Sequence, residues 1–177
     1  MKKLVLLLIT VILLSSCDQV IFTEPQPARV KAMTQIPETL QGVWLDDSND
    51  TLYVGTKSFR YPSEDFSITE PEFLSDTSVL KEYKGRYFLN RTIRLDEGNF
   101  WLSYMIDPVE PGKKMDLYTM DPDDVVKLAK LQEITSKIRD IEEGETSYYL
   151  FSPKKKHYKK IISDTIFSKM ISFRKLK

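Results

Sequence analysis

RYFLNRTIRL (residues 86–95) and NFWLSYMI (residues 99–106), joined through Asp96-Glu97-Gly98, are the stretch whose reading decides the fold. Both halves alternate apolar with polar residues, and the acidic Gly-containing break between them is turn chemistry, so the pair reads as a β-hairpin. A two- or four-residue loop places every apolar side chain on one face, with Leu95 opposite Phe100, Ile93 opposite Leu102, Arg91 opposite Tyr104 and Leu89 opposite Ile106. A three-residue loop would shift the register by one and mix the faces, which a half-buried sheet resists. Glu97 suits the first position of a type I′ turn poorly, so the four-residue loop is the expected one.

That register has two consequences. On the outer face Arg94 lies opposite Trp101, a cross-strand cation–π pair. On the inner face Arg91 is the one charge in an apolar row, and an inward guanidinium needs an anion, a carboxylate or water. Two roles remain open for it: a ligand anchor inside a barrel, or a structural salt bridge at the rim. The candidate ligand site is therefore Arg91, Phe100, Leu102 and Tyr104.

Outward from the hairpin, LQGVWL (40–45), DTLYVGTKSFRY (50–61) and KMDLYTM (114–120) carry the same aromatic and β-branched signature between Asp, Asn, Gly and Pro clusters. Asp121-Pro122-Asp123-Asp124 then opens a helix, with Asp121 as N-cap, Pro122 at the first helical position and two carboxylates at the positive end of the dipole. Val125, Leu128, Leu131, Ile134, Ile138 and Ile141 form its stripe at spacings of three and four, and Gly144 helps end it. SYYLFS (147–152) is a further strand, KKKHYKKIISDTIF (154–167) a second helix, and ISFRKL (171–176) a last strand. The expected fold is α+β: an antiparallel sheet curled into a barrel or half-barrel, with two helices in the C-terminal part.

The N-terminus carries a different message. Lys2 and Lys3 precede an apolar run, Leu4–Leu14, of 11 residues, about half of what a transmembrane helix needs and right for a secretory leader. Leu14-Ser15-Ser16-Cys17 resembles the lipobox of bacterial lipoproteins: a branched apolar residue, two small residues and Cys. That resemblance implies cleavage before Cys17, a diacylglyceryl thioether on it and acylation of the new N-terminus. The alternative is an ordinary cleaved leader with an incidental Cys. Cys17 is the only cysteine, so no internal disulfide is available to it. Two or three acyl chains anchor durably where one does not. The expected organisation is a signal peptide over 1–16, a lipidated N-terminus and flexible Pro-containing tether over 17–37, and one globular domain over 38–177. The implied location is the cell envelope, facing periplasm or cell surface, with the membrane as partner through the lipid.

Gly42-Val43-Trp44 resembles the G-x-W that opens the lipocalin-like (calycin) barrels. The resemblance implies an apolar-ligand cavity and an Arg of the last strand packed over the Trp, here Arg174 against Trp44. The whole order of elements resembles uncharacterised lipoproteins of the Bacteroidota, a likeness that supplies no activity.

Charge narrows the classes. The 161 residues after the leader carry a net charge near −2, against bulk nucleic-acid binding. Residues 153–177 hold nine Lys/Arg against Asp164 alone, while 17–152 hold 15 against 25. A solvated helix face with a basic terminus explains this; contact with anionic lipid is the other reading. His157, the only histidine, sits in a lysine run that disfavours its protonation. No Walker loop, dinucleotide fingerprint or nucleophile elbow occurs, and no metal or cofactor is expected. Asp46, Asp47 and Asp50 read as a turn, with paired acid–base carboxylates as the alternative. The functional expectation is a non-catalytic, membrane-anchored envelope lipoprotein that binds a small apolar or anionic ligand or serves a structural role. A protein-binding or inhibitor lipoprotein, using exposed aromatics such as Trp101, is second, and a hydrolase third.

Overall fold

The computed structural model describes residues 18–62, 68–144 and 146–176; the leader and Cys17 lie outside the described residues. In chain order the strands are β1 Gln19–Phe22, β2 Gly42–Leu45, β3 Thr51–Val54, β4 Ser58–Tyr61, β5 Ile68–Phe73, β6 Ser78–Tyr83, β7 Arg86–Leu95, β8 Gly98–Glu110 and β9 Lys114–Thr119. Helix α1 Val125–Ile134 precedes β10 Lys137–Glu143 and β11 Thr146–Phe151, and helix α2 Lys155–Ser163 precedes β12 Ser168–Lys175.

All twelve strands of the described residues belong to one sheet, ordered β10-β11-β1-β8-β9-β12-β2-β3-β4-β5, with β7 and then β6 continuing from the other edge of β8. β8 is the fork. Its 13 residues pair with β7 along one edge, while the opposite edge is shared by β1 at Trp101 and β9 from Met105 onward. Every pair is antiparallel except β1 with β11, which run parallel, so the sheet is mixed. It curls without closing, and β5 and β6 are the edges of the curled part.

Alternation along the strands sorts the core into two layers. Phe100, Leu102, Tyr104 and Ile106 of β8 share the inner face with Leu89, Ile93 and Leu95 of β7. These inner residues belong to two clusters, one around Trp44, Phe59, Tyr61 and Phe173, the other around Ile21, Ile141, Tyr148 and Leu150. On the outer face Phe88, Met105, Val20 and Phe22 pack against Leu131 of α1 and Tyr158 and Ile161 of α2. Phe88 and Tyr158 meet edge to face at 5.5 Å. The helices therefore cover the outside of the sheet, and each such buried apolar side chain contributes about 1.5–3 kcal/mol.

The hairpin keeps the expected faces but not the expected loop. Leu95 pairs with Gly98, Ile93 with Phe100, Arg91 with Leu102 and Leu89 with Tyr104, so the loop is the two residues Asp96-Glu97. A shift of two preserves side-chain parity, which is why the apolar face survives.

Residues 18–37 are not a free tether. Val20, Ile21 and Phe22 are all buried, because β1 lies inside the sheet with the helix layer on one side and the inner cluster on the other. After β1 the chain forms a strap across the outer face of β7 and β6. Asn90, fully buried, accepts from the Gln26 backbone N–H at 2.7 Å and donates to the Gln26 carbonyl at 2.7 Å. Lys81 donates to the carbonyls of Pro25 at 2.6 Å and Pro27 at 3.1 Å. The strap then bridges the free edge of β6, Met33 N–H to Leu80 carbonyl at 2.8 Å, and reaches the β3–β4 turn, Ile36 N–H to Thr56 carbonyl at 2.7 Å.

The first helix is shorter than its stripe. Asp124, not Asp121, is the N-cap and accepts from Lys127 N–H at 3.0 Å; Asp121 instead closes a local turn with Asp123 N–H. Thr135 ends the helix, its N–H reaching Leu131 carbonyl at 2.9 Å. Ile138 and Ile141 belong to β10, Ile141 buried beneath Tyr148 and Leu150 and Ile138 exposed. The β-branched pair Ile134-Thr135 makes the switch out of helix inexpensive, and pairing with β11 decides it.

Candidate ligand site within the curled sheet

The inner face lines a partly open apolar cavity of about 80 Å³. Leu52 and Val54 of β3 and Phe59 and Tyr61 of β4 form one wall; Leu89, Tyr104 and Ile106 of β7 and β8 face them, and Met115, Leu117 and Phe173 close the third side. Ile36 and Leu40, from the chain after the strap, Leu74, Leu80 and Asp116, whose carboxylate is engaged by Ser172 Oγ and Lys169, complete the lining. Their hydrophobic character follows from inward alternation. The void has enough room for a water molecule but almost no polar partner to hold one, and apolar voids of that kind stay dry and take apolar guests.

One end of this face is polar. Arg91 Nε donates to Glu72 Oε1 at 3.0 Å, and a second guanidinium nitrogen lies 2.8 Å from Glu72 Oε2, a two-pronged pair between β7 and β5. Both side chains keep partial solvent access, 31% and 21%, so the pair is at the rim. Tyr104 lies within electrostatic reach of both. Burial pushes its phenol above the usual range, Glu72 adds to that and Arg91 opposes it, so the ring stays neutral at physiological pH.

The expected site residues are thus divided. Tyr104 lines the cavity. Phe100 and Leu102 belong to the other inner cluster, with Ile21, Leu95 and Ile141. Arg91 is on the inner face as expected, opposite Leu102 rather than Tyr104, and its charge is met by Glu72. Arg94 faces Asn99, and Thr92 faces Trp101, so the expected Arg94–Trp101 pair does not form. Trp101 is half-buried against the helix layer.

Trp44 is fully buried, its indole N–H donating to Leu40 carbonyl at 2.9 Å. The cation over its ring is Lys175, 5.3 Å from the centroid, not Arg174, which is exposed. Lys175 pairs with Trp44 and Arg174 with Leu45. Alternation explains this: Phe173 faces inward, so Lys175 shares its side and Arg174 points away.

The remaining polar groups have local employment. Asp46 accepts from the N–H groups of Ser48 at 2.8 Å and Asp50 at 2.7 Å and from the Tyr61 hydroxyl at 2.5 Å, a turn-closing carboxylate. His157 Nδ1 accepts from Lys154 N–H at 3.3 Å. Burial first, then Lys156 and Lys154, hold its pKa below the usual value. Among the described residues no group of three or more His, Cys, Asp or Glu is placed to hold a metal ion, and no helix is long and apolar enough to cross a membrane.

Three participants gave little sequence signal. Ile36 and Leu40 are isolated apolar residues in a Pro-rich stretch, and Glu72 lies between Pro71 and Phe73 with no pattern marking it as the partner of Arg91. Comparison with family models, curated proteins and solved structures gave no match to this chain.

Proposed function

We propose that this protein is a non-catalytic, envelope-anchored lipoprotein whose curled sheet holds a small apolar group. The observation that carries the reading is the cavity of about 80 Å³ with its almost wholly apolar lining. An apolar cavity of about 150 Å³ accepts benzene, so this one suits a guest of a few carbon atoms, or the end of a longer chain admitted by movement of the flexible Met115. Arg91, Glu72 and Tyr104 at the rim supply polar recognition for whatever the apolar end carries. The lipobox Leu14-Ser15-Ser16-Cys17 supports attachment through Cys17, and the G-x-W at Gly42-Val43-Trp44 supports a lipocalin-like ancestry.

Native mass spectrometry of protein extracted gently from its own membrane tests the ligand. Thermal shifts with short alkyl probes and xenon test the cavity itself. A bound apolar species, or saturable stabilisation by the probes, supports the reading; stability indifferent to every probe and an empty native spectrum would remove it.

A second reading has its own observation. The outer face of β3–β5, which neither helix covers, exposes Tyr53 at 45% and Phe73 at 61%, with Arg60 stacked on Tyr53 at 5.5 Å. Aromatics and Arg in that setting suit a protein partner, and Tyr53→Ala with Phe73→Ala would abolish capture of one. A hydrolase has no such support, because the Asp46 carboxylate is engaged in its own turn.

A further inference from the structure

The short distance between Cys17 and β1 has consequences for orientation. If about 20 flexible residues followed the lipid, the domain would tumble tens of Å from the membrane. Instead β1 begins at Gln19, hydrogen-bonded between β11 and β8, and Asp18 is itself held by the Tyr149 hydroxyl at 2.9 Å. From Cys17 to Val20 the chain reaches at most about 10 Å. A lipid on Cys17 therefore sets the sheet directly against the headgroups, and the surfaces flanking β1 become the contact surface.

Two charged surfaces flank it. One is the β10–β11 hairpin, where three acids, Asp140, Glu142 and Glu143, are engaged within the protein. Asp140 pairs with Lys137 at 2.8 Å, Glu142 accepts from Ser147 Oγ at 2.8 Å, and Glu143 accepts from Asp96 N–H at 3.1 Å. Neighbouring Glu97 is bridged to Arg139. The other is α2, which lies over β1: Tyr158 and Ile161 pack in the same cluster as Val20 and Phe22. Its solvent side carries Lys155, Lys156, Lys159 and Lys160, all exposed. Against them stands Asp164, 4.0 Å from Lys160, and Lys155 Nζ lies over the Tyr83 ring, 5.9 Å from its centre. Near the anchor Asp140 and Glu97 are paired with cations and Glu142 and Glu143 are held by neutral donors, whereas on α2 four exposed lysines face Asp164 alone.

We propose that the exposed lysine face of α2 docks on the anionic headgroups of the membrane that carries the Cys17 anchor. This rests on the anchored reading above. Lipid attachment supplies the residence at the surface, and the lysines fix which side of the domain faces it; each charge near an anionic bilayer adds to the attraction within a Debye length. The cavity rim and the exposed Tyr53–Phe73 face stay clear of the helix layer.

The test is amine acetylation of the mature chain in vesicles, with labelling rates read lysine by lysine by mass spectrometry. Zwitterionic phosphatidylcholine vesicles are compared with vesicles containing phosphatidylglycerol. The proposal requires Lys155, Lys156, Lys159 and Lys160 to label several-fold more slowly in the anionic vesicles, to recover in high salt, and to leave Lys57 in the β3–β4 turn unchanged. Lys155→Gln with Lys156→Gln should restore labelling at Lys159 and Lys160 without altering the melting temperature. Equal rates in the two vesicle types, or protection spread evenly over all lysines, would overturn it. Mass spectrometry of the N-terminus judges the anchor separately. If Cys17 proves to be a free thiol, coupling it to a maleimide lipid recreates the attachment, and the same labelling comparison still decides the docking.

Discussion

Lys175 Nζ stands 5.3 Å from the centre of the Trp44 indole, and the backbone opposite makes room for it at Gly42. A Cβ on Gly42 would come within 2.6 Å of Lys175 Cε, and the residue has φ +124, a region in which side chains are strained. The Gly-x-Trp of β2 and the Lys of β12 are therefore one packing unit: the glycine lets the lysine cross the strand to reach the ring.

Gly42→Ala is expected to destabilise the protein by about 2 kcal/mol, mostly through backbone strain, and Lys175→Met by about 0.5–1 kcal/mol. In a Lys175→Ala background the Gly42→Ala cost should shrink, because the side-chain overlap is gone while the backbone strain remains. Urea denaturation of Lys175→Met and of the four proteins in the Gly42→Ala/Lys175→Ala cycle measures this; a Gly42→Ala variant as stable as the parent would contradict it.

Asn90→Ala should be among the most damaging single changes. It removes the acceptor for Gln26 N–H and the donors to the carbonyls of Gln26 and Phe88, in a fully buried position. Leaving such groups unsatisfied costs about 1–3 kcal/mol each, so a loss of about 3 kcal/mol is expected. The strap should then open to protease around Arg29 and Lys31 before the rest unfolds. Limited proteolysis that cuts elsewhere first would show that the strap is held by something other than Asn90.

How much of this was legible depended on whether the signal was local. The inner faces of β7 and β8 could be read because period-two alternation survives any shift by two residues, and the loop length could not, because one acidic residue in a turn is weak information. The Lys175–Trp44 contact was legible in principle: Phe173 and Lys175 alternate together, so reading the strand's parity rather than its arginine would have chosen the lysine. β1 was missed because three consecutive apolar residues beside prolines show no alternation, and both their faces are buried only through β11, over 120 residues away in sequence. The end of α1 at Thr135 was hidden for a similar reason, since Ile138 and Ile141 fit a helical stripe until β11 pairs with them. Glu72 as the partner of Arg91 had no sequence signature at all.

Filling the cavity should stabilise the fold and weaken any guest. A void of about 80 Å³ costs about 2 kcal/mol at roughly 24 cal/mol per Å³, and Val54→Ile adds one methylene into it with the β-branch kept, for a gain of up to about 0.8 kcal/mol. Thermal melts with and without xenon check both halves: the variant should melt higher alone and gain less from the gas. A lower melting temperature would mean that the space is already filled by motion of its lining.

Lys81 gives the fold a pH signature at the alkaline end. Burial lowers its pKa below the usual 10.5, with Glu24 opposing the shift, so between the lowered native value and 10.5 the unfolded chain binds more protons than the folded one. Stability at this site must then rise with pH across that window. Lys81→Met, of similar length and unable to titrate, removes the contribution along with the hydrogen bonds to Pro25 and Pro27. Urea midpoints measured from pH 8 upward should therefore show the parent gaining on Lys81→Met as the pH approaches 10.5. At neutral pH the two opposing effects, relief of a buried charge and loss of two carbonyl contacts, decide the offset between the curves but not their relative slope. Parallel curves over the whole range would mean that Lys81 keeps an ordinary pKa, and that its contacts with the strap carry no desolvation cost.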